Sequence, residues 1–539
     1  MIIKIGILIK DFEKLDNWER RIIEEIKNNS SLELSLLIKE GRTHVTAPQE
    51  KNVIGRFLFE TQKKIEAKVY KRQCFTVNKD EIVPFLNGIE CIKLSPKRQG
   101  CLDIFSQEDA KIVKAYHLDI ILQHEFTLIR GDILNAAKYG IWRFHHTDTS
   151  IIRGVPAGFW EIILKQPVIG VTLQKLTSEM DSVLVIDKGF YNCYWSYNKN
   201  NINILEGSVD ILFKNIRLLQ QNRLKLEKST VYYNRLYSTP SLYFAVKYLF
   251  KFYPHFIAKQ VRKVLQTIFG IRYECWTLFI GKGHILESAL FRLKPLKLPK
   301  HEFWADPFLF KYEDEYYVFF EKYSYQTEKG KISCGKVVNN QVIDVVDVLD
   351  LDYHLSYPFI FSEDNDIYMI PETSQNKRVE VYRCVDFPKK WERYATAFEG
   401  EAISDTTYYK DELSQRWLFL NKGFQDDCTN LFIYKIDSLK MDNIQSHACN
   451  PVIIDSRVAR NAGQLFEYED KIIRPSQNNS NGIYGYGLNL NVIKKLTLDE
   501  YIEEKLVTVE PYFHKGLMGT HHLHQLDDIF VIDGAYGWK

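Results

Sequence analysis

Gly140-Ile-Trp-Arg-Phe-His-His-Thr-Asp148, running on into Thr-Ser-Ile-Ile-Arg153-Gly154-Val-Pro156-Ala-Gly158-Phe-Trp160, reads as a buried strand that empties into a polar, glycine-bearing loop. Side chains alternate between the two faces of a strand, so Arg143 and His145 share one surface while Trp142 and Phe144 point to the other. A cation and a titratable imidazole at a strand end mark a candidate site. The residues before this stretch read as the scaffold that delivers it, and those after about residue 300 follow a different period.

Toward the N-terminus, apolar strands alternate with amphipathic helical segments: Ile2 to Ile9, Trp18 to Lys27, Leu32 to Ile38, then Ile120 to Gln123, Leu134 to Tyr139 and Gly140 onward. That alternation predicts βαβ units and an open, mostly parallel α/β sheet. No G-x-G-x-x-G follows the first strand, so the dinucleotide fingerprint is absent. Residues 40 to 100 are less regular, with basic clusters at Lys63-Lys64, Lys71-Arg72 and Lys97-Arg98, and are expected to form a peripheral helix and surface loops.

A chain of 539 residues exceeds one core and implies two or three domains. Hydrophobic residues make up 45% and charged residues 26%, which excludes extensive disorder, and the aromatic share of 14% is high. The nine cysteines form no C-x-x-C pair, so neither a zinc site nor a disulfide framework is expected, and a reduced, cytoplasmic protein is. Lys4 and Lys10 make the N-terminal apolar run read as a first strand rather than a signal peptide. No stretch of about 18 uncharged apolar residues is present to form an ordinary membrane-spanning helix.

Further along, Pro167-Val-Ile-Gly-Val-Thr172-Leu-Gln-Lys-Leu176 alternates as a strand and leads to Thr-Ser-Glu-Met-Asp181. The order of a strand, a His, eight residues to Arg-Gly, then Pro, Trp, Gly-Val-Thr and nine residues to Asp resembles the core of the folate-dependent formyltransferases, among them the methionyl-tRNA and sugar N-formyltransferases. The resemblance covers about residues 1 to 190. It implies 10-formyltetrahydrofolate as cofactor and a catalytic set at Arg143, His145 and Asp181, with Arg153 and Gly154 at the substrate. Arg143 stands where that family has Asn, and Asp181 is followed by Ser182-Val183 rather than x-Gly. Formyl transfer to an amine needs a base, a carboxylate that orients it and a donor to the oxyanion. His145 and Asp181 supply the first two, and Arg143 brings a donor with a full charge that favours neutral imidazole.

Residues 191 to 300 carry 18 Lys and Arg against 5 Asp and Glu. Asp210 to Lys228 has helical periodicity, and Leu242 to Phe269 interleaves aromatics with Lys247, Lys251, Lys259, Arg262 and Lys263. Two readings stand: a helical linker with its charges in water, or an interfacial helix at residues 240 to 269 on an anionic membrane. No nucleic-acid recognition motif appears, so nucleic acid is not an expected partner.

From residue 300, five segments open an apolar strand with polar residues: Trp304 to Phe310, His354 to Phe361, Ile403 to Tyr409, Arg460 to Phe466 and Gly519 to His524. Each is followed by a second apolar strand, and the starts lie about 50 to 60 residues apart, the spacing of a four-stranded propeller blade. An all-β five-bladed propeller is therefore expected, with Asp306, His354, Asp405, Arg460 and His521 converging on the axis beside Glu372, Arg474 and Asp533, and no metal. This half is similar to the five-bladed domain of glucosamine inositolphosphorylceramide transferase-like proteins and, more distantly, to the arabinanase-type glycosidases. The carriers are Ala305-Asp306-Pro307-Phe308, His354-Leu-Ser-Tyr-Pro358, Met369-Ile-Pro371-Glu372-Thr, Arg474-Pro475-Ser-Gln477, Tyr484-Gly485 and Gly519-Thr-His521.

The expected organisation is thus a formyltransferase-like α/β domain at 1 to 190, a basic helical segment at 191 to 299 and the propeller at 300 to 539. The first functional reading is formyl transfer to an amino sugar in cell-surface glycan biosynthesis, the substrate being an amino-sugar nucleotide or a lipid-linked glycan held by the propeller. The alternatives are glycosyl transfer or glycoside cleavage at the propeller centre, and a non-catalytic glycan-binding scaffold. The expected location is cytoplasmic, peripheral at the inner face of the membrane.

Overall fold

The computed structural model describes residues 2–9, 15–42, 52–69, 86–100, 102–124, 128–178, 183–228, 235–273, 275–424 and 426–537. The chain divides into two compact units, Met1–Pro254 and His255–Lys539.

The first unit begins with β1 (Ile3–Ile9), α1 (Asn17–Asn28), β2 (Leu32–Glu40), α2 (Val53–Val69), β3 (Glu90–Leu94), β4 (Lys97–Gln99), β5 (Leu102–Ile104), α3 (Gln107–Lys114), β6 (Ile120–Gln123) and β7 (Leu128–Arg130). It continues with β8 (Ile141–His145), β9 (Arg153–Gly154), α4 (Trp160–Leu164), β10 (Val168–Leu176), β11 (Val183–Asn192), α5 (Tyr197–Gln220), β12 (Glu227–Lys228), β13 (Leu236–Tyr237) and the start of α6 (Leu242–Phe269). The main sheet runs β12-β11-β10-β8-β6-β1-β2-β3. Its pairs from β3 to β8 are parallel, and β10, β11 and β12 extend it in antiparallel sense. Ile5, Ile7, Leu8, Ile120 and Ile121 are buried, the near-continuous apolar run that a strand covered on both faces requires.

Sequence order reverses between β1 and β6, and ligands of open α/β sheets bind outside the carboxyl ends of the strands at such a switch. His145, the last residue of β8, lies on that edge beside β6. Helix α1 is held by a capping box between Asp16 and Glu19 and buries Trp18, Ile22, Ile23 and Ile26.

Helix α5 belongs to this unit and is not part of a linker. Its Glu206 accepts from Asn17 at 2.8 Å and from Arg21 at 2.7 Å, and its Asn215 donates to Asp187 at 2.9 Å. A second polar anchor joins α2, α5 and α6: buried Glu66 accepts from Tyr248 Oη at 2.6 Å, Ser196 Oγ at 2.7 Å and the Asn198 backbone N–H at 3.2 Å. Removing a donor to a buried carboxylate forfeits a charge-assisted bond. Tyr248→Phe is therefore expected to cost about 2 kcal/mol, read as a lowered urea midpoint.

The second unit opens, after the rest of α6, with β14 (Cys275–Lys282). Blade one is β15 (Glu302–Tyr312), β16 (Glu315–Ser324), β17 (Lys329–Val338) and β18 (Gln341–Leu349). Blade two is β19 (Ser356–Glu363), β20 (Asp366–Glu372), β21 (Val379–Asp386) and β22 (Lys390–Ala397). Blade three is β23 (Ser404–Lys410), β24 (Arg416–Asn421), β25 (Asn430–Ile436) and β26 (Ile444–Ser446), with β27 (Ile453–Ile454) added to β25. Blade four is β28 (Phe466–Tyr468), β29 (Lys471–Asn478), β30 (Gly487–Leu496) and β31 (Tyr501–Val509).

The fifth blade sets β32 (Leu517–Gly519) and β33 (Leu523–Leu526) against β34 (Ile529–Tyr536), and β14 completes it from the other end of the unit. The ring is a five-bladed β-propeller closed by pairing its first strand with its last, which leaves no open sheet edge at the seam. Residues 191–299 are thus not one helical segment: α5 packs in the α/β unit and β14 is a propeller strand. Apolar cores lie between neighbouring blades, such as Phe308, Phe319, Tyr357, Phe359 and Leu418 across blades one to three.

Candidate functional site

Three of the propeller's inner strands open with the same device. Register slips between Ala305 and Phe308, Ser356 and Phe359, and Ser404 and Thr407 are β-bulges, and each places a non-glycine residue in the left-handed region: Asp306 at φ 49°, Tyr357 at 44° and Asp405 at 48°. A bulge re-aims a side chain, and left-handed backbone at a non-glycine residue stores about 1 kcal/mol of strain. Opposite the residue before each bulge stand Glu321, Glu372 and Asn421. The repeat therefore brings one level of polar groups to the propeller centre.

Arg460, from the start of blade four, organises this level. Its Nε donates to Asp405 Oδ2 at 2.6 Å, its Nη1 lies 2.7 Å from Asp427 Oδ1, and its Nη2 donates to Glu372 Oε2 at 3.5 Å. Gln477 donates to the same Asp405 oxygen at 3.3 Å, and the Asp405 backbone N–H donates to Glu372 at 3.3 Å. On the blade-five side, His521 Nδ1 lies 2.5 Å from Asp533 and its Nε2 lies 3.6 Å from Asp306. Asp533 also accepts from the backbone N–H groups of His521 and His522.

Burial drives the electrostatics. It pushes the Asp306 carboxyl up to about 6, with His521 opposing and Asp533 and Glu372 reinforcing. Glu321 rises well above the usual carboxylate range through burial and the neighbouring Asp306 and Glu372. Asp405 is raised by burial against the pull of Arg460. For His521, burial opposes the charge, but Asp533 and Asp306 outweigh it and hold the imidazolium. The centre thus holds carboxyls of raised proton affinity beside a permanent cation. Asp306, His521 and Asp533 bring three donor atoms within 4.8 Å of one another, close enough to ligate a cation, although the His521 charge already offsets one of the two carboxylates.

From blade two Tyr357 reaches its neighbours, its hydroxyl 2.7 Å from Thr407 Oγ1 and accepting from the Gly463 N–H at 3.1 Å. At the rim, Trp276 of β14 stacks on His521 with ring centroids 3.9 Å apart, and half-exposed Tyr484 meets the same ring edge-on. Gly485, at φ 60°, permits the approach: a Cβ there would sit 2.8 Å from the His521 Cβ. Partly exposed aromatics above convergent polar groups are the makeup of a small-ligand site.

The expected cluster is therefore assembled in large part: Asp306, Glu372, Asp405, Arg460 and His521 come together. His354 lies on the rim, its Nδ1 accepting from the Gly330 N–H at 2.9 Å and its Nε2 3.4 Å from Glu321. Arg474 is not on this level. Fully buried, it makes a two-pronged bond to Glu503 at 2.7 and 2.8 Å and holds blade four together. Sequence reasoning missed Glu321, Asp427, Gln477, Tyr484 and Trp276. Glu321 was within reach, since Phe-Phe-Glu321, Ile-Pro-Glu372 and Phe-Leu-Asn421 hold the same place in successive blades.

In the α/β unit, Arg143 pairs with Gln174 and His145 with Thr172 across β8 and β10. Burial, with Arg143 and Arg153, lowers the His145 pKa to about 4, and His146 falls to about 3 through burial and its neighbouring histidines. His145 Nε2 is buried and has no hydrogen-bond partner among the described residues. Asp181 lies outside the described residues. Gly154 has a backbone reason to be glycine: at φ 131° its Cβ would fall 1.9 Å from the Tyr237 carbonyl, so only glycine permits the β9–β13 pairing. A cavity of about 410 Å³ opens beside the start of β8, lined by Arg130, Asn135, Lys138, Lys175 and Ser178.

The fold and these sites define a two-part chain, an α/β unit with a titratable strand end and a five-bladed propeller with a carboxylate and arginine centre. Residues 297–533 match the family described as "Glucosamine inositolphosphorylceramide transferase 1, N-terminal". Glucosamine inositolphosphorylceramide transferase 1 of Oryza sativa subsp. indica is 33% identical over 214 residues, 37% of this chain and 27% of the rice protein. The chain thus spans about a quarter of the length of the curated relatives it matches. Among solved structures, the N-formyltransferase from Helicobacter canadensis in complex with folinic acid and dTDP-3-aminofucose covers 62% of this chain and 100% of its own at 14% identity and TM-score 0.30. A thermostable family-43 glycoside hydrolase covers 43% and 88% at 12% identity and TM-score 0.33.

Proposed function

We propose that this chain is an enzyme of glycan assembly that acts on a sugar at the propeller centre. The observation that carries this reading is the convergence of Asp306, Glu321, Glu372 and Asp405 around Arg460 beneath the Trp276 and Tyr484 rim. The transferase names of the relatives support the same class of chemistry, and the substrate is an amino-sugar nucleotide or a lipid-linked glycan. Asp306, its proton affinity raised by burial, gives its proton to the leaving-group oxygen. Glu372 takes the proton of the attacking hydroxyl. Arg460 stays charged and holds Glu372 and Asp405 in place.

A pH profile tests the acid. With Asp306 held at about 6, its proton-donating form dominates below that pH, so kcat/KM should fall about tenfold per unit above it. A rate flat from pH 5 to 8 removes Asp306 from the acid role.

A second reading is favoured by one specific feature, the neutral His145 whose buried Nε2 has no partner among the described residues, at the carboxyl edge of the sheet. There the α/β unit transfers a formyl group from 10-formyltetrahydrofolate to an amino sugar: His145 takes the amine proton and Arg143 donates to the developing oxyanion. The residues fit in part, because a charged guanidinium replaces a neutral amide. Incubation with 10-formyltetrahydrofolate and nucleotide-linked amino sugars separates the readings, since tetrahydrofolate release supports this one and its absence with every sugar tried sinks it. Glycan binding without turnover of either kind would leave a non-catalytic scaffold.

A further inference from the structure

Helix α6 has two opposed apolar faces. Ala245, Tyr248 and Phe252 are buried, whereas Tyr243, Phe250, Ile257, Val261, Val264 and Ile268 are 47–76% exposed. At about 100° per residue the exposed set forms a single stripe roughly opposite the buried one. Burial of the first face explains why the helix packs on the α/β unit, but it leaves the second without a partner.

Within the α/β unit, the start of the stripe at Tyr243 is continuous with a wider apolar surface. Gly55 of α2 fits against the start of α6, where a Cβ would lie 2.5 Å from the Leu242 N and the Pro240 carbonyl, so exposed Val53, Ile54 and Phe57 flank exposed Leu242 and Tyr243. Trp160 then joins Tyr237 to Phe244, with centroids 4.7 and 4.9 Å away, which brings in exposed Leu236 and Val155 from the paired β13 and β9 region. Three separate elements present large apolar side chains to solvent together, and soluble surfaces rarely carry contiguous apolar patches of that kind without a partner.

Charge selects the occupant. From Leu242 to Phe269 there is no Asp or Glu; at about 100° per residue Lys247 borders the stripe, Arg262 and Lys263 lie about 100° beyond its two edges, Lys259 faces away from it, and Lys251 is tied to the Ile162 carbonyl. No helix among the described residues is long and apolar enough to cross a membrane. We infer that the exposed stripe of α6 docks the protein on an anionic bilayer surface. The stripe enters the boundary between headgroups and acyl chains while the cations meet the lipid phosphates. A membrane face would place a lipid-linked sugar within the reach of the enzyme, but the surface does not depend on which unit carries the chemistry.

The test is sedimentation of the full chain with vesicles. Wild type should pellet with phosphatidylcholine vesicles containing phosphatidylglycerol and stay in solution with phosphatidylcholine alone. Ile257→Glu with Val264→Glu, both at exposed positions, should weaken binding at least about tenfold with an unchanged thermal melt. Lys247→Gln and Lys263→Gln should each weaken it about fivefold. Equal binding by wild type and the double glutamate variant overturns the inference, and so does failure of wild type to bind. A wild-type dimer in the absence of vesicles that the glutamate variant abolishes would show instead that a second copy covers the stripe.

Discussion

Asp306→Asn is expected to lower turnover of the sugar substrate about 1000-fold, while His145→Ala leaves that turnover unchanged. Asparagine suits the test because it tolerates the left-handed backbone that Asp306 adopts at φ 49° and keeps the shape of the side chain, removing only the titratable proton. The backbone contacts of Asp306, from its own N–H to Asp533 at 3.4 Å and from the Tyr357 N–H to its Oδ2 at 3.3 Å, survive the change. Steady-state kinetics with one glycan substrate on the two variants decide between the units. The reverse pattern, loss with His145→Ala and none with Asp306→Asn, assigns the chemistry to the α/β unit.

Arg460→Met should be the most destabilising single change in the propeller. The guanidinium compensates Asp405, Asp427 and Glu372, and removing it leaves buried carboxylates facing one another. Breaking a buried ion pair from one side costs about 3–5 kcal/mol, because the remaining charge keeps its desolvation penalty and loses its partner. Guanidinium unfolding of the full chain should show a propeller transition at a lower midpoint by that amount. An unchanged midpoint would mean that the carboxylates are neutral without Arg460, which removes its organising role.

The propeller was legible because its repeat is carried by polar residues at strand starts, where they break an apolar run. Asp306, Asp405, Arg460 and His521 stand out for that reason, and the bulges that aim the first two were invisible only in their geometry. Glu321 ends an apolar second strand, so it looked like a strand terminus until register set it opposite Ala305. Trp276 could not be placed from local pattern at all. It lies in β14, well before the first repeat, and its partner β34 is at the far end of the chain, a pairing dictated by ring closure. Arg474, expected beside the axis, is turned by alternation along β29 toward Glu503 while Gln477 faces Asp405.

In the α/β unit the parallel sheet and the position of His145 followed from the alternation of apolar runs. The end of that unit did not. The basic bias of residues 191–300 suggested one separate segment, whereas α5 buries Ile204, Ile211, Leu212 and Ile216. Net charge reports the exposed face of a helix and says little about where its apolar face packs.

The central claim is that the sugar is handled at the propeller centre. A crystal structure of the full chain soaked with an amino-sugar nucleotide tests it most directly. The account predicts a sugar ring against Trp276 and Tyr484, with its polar groups within hydrogen-bond reach of Glu372 and Arg460. Sugar density confined to the strand end beside His145, with the propeller centre unchanged, would contradict it.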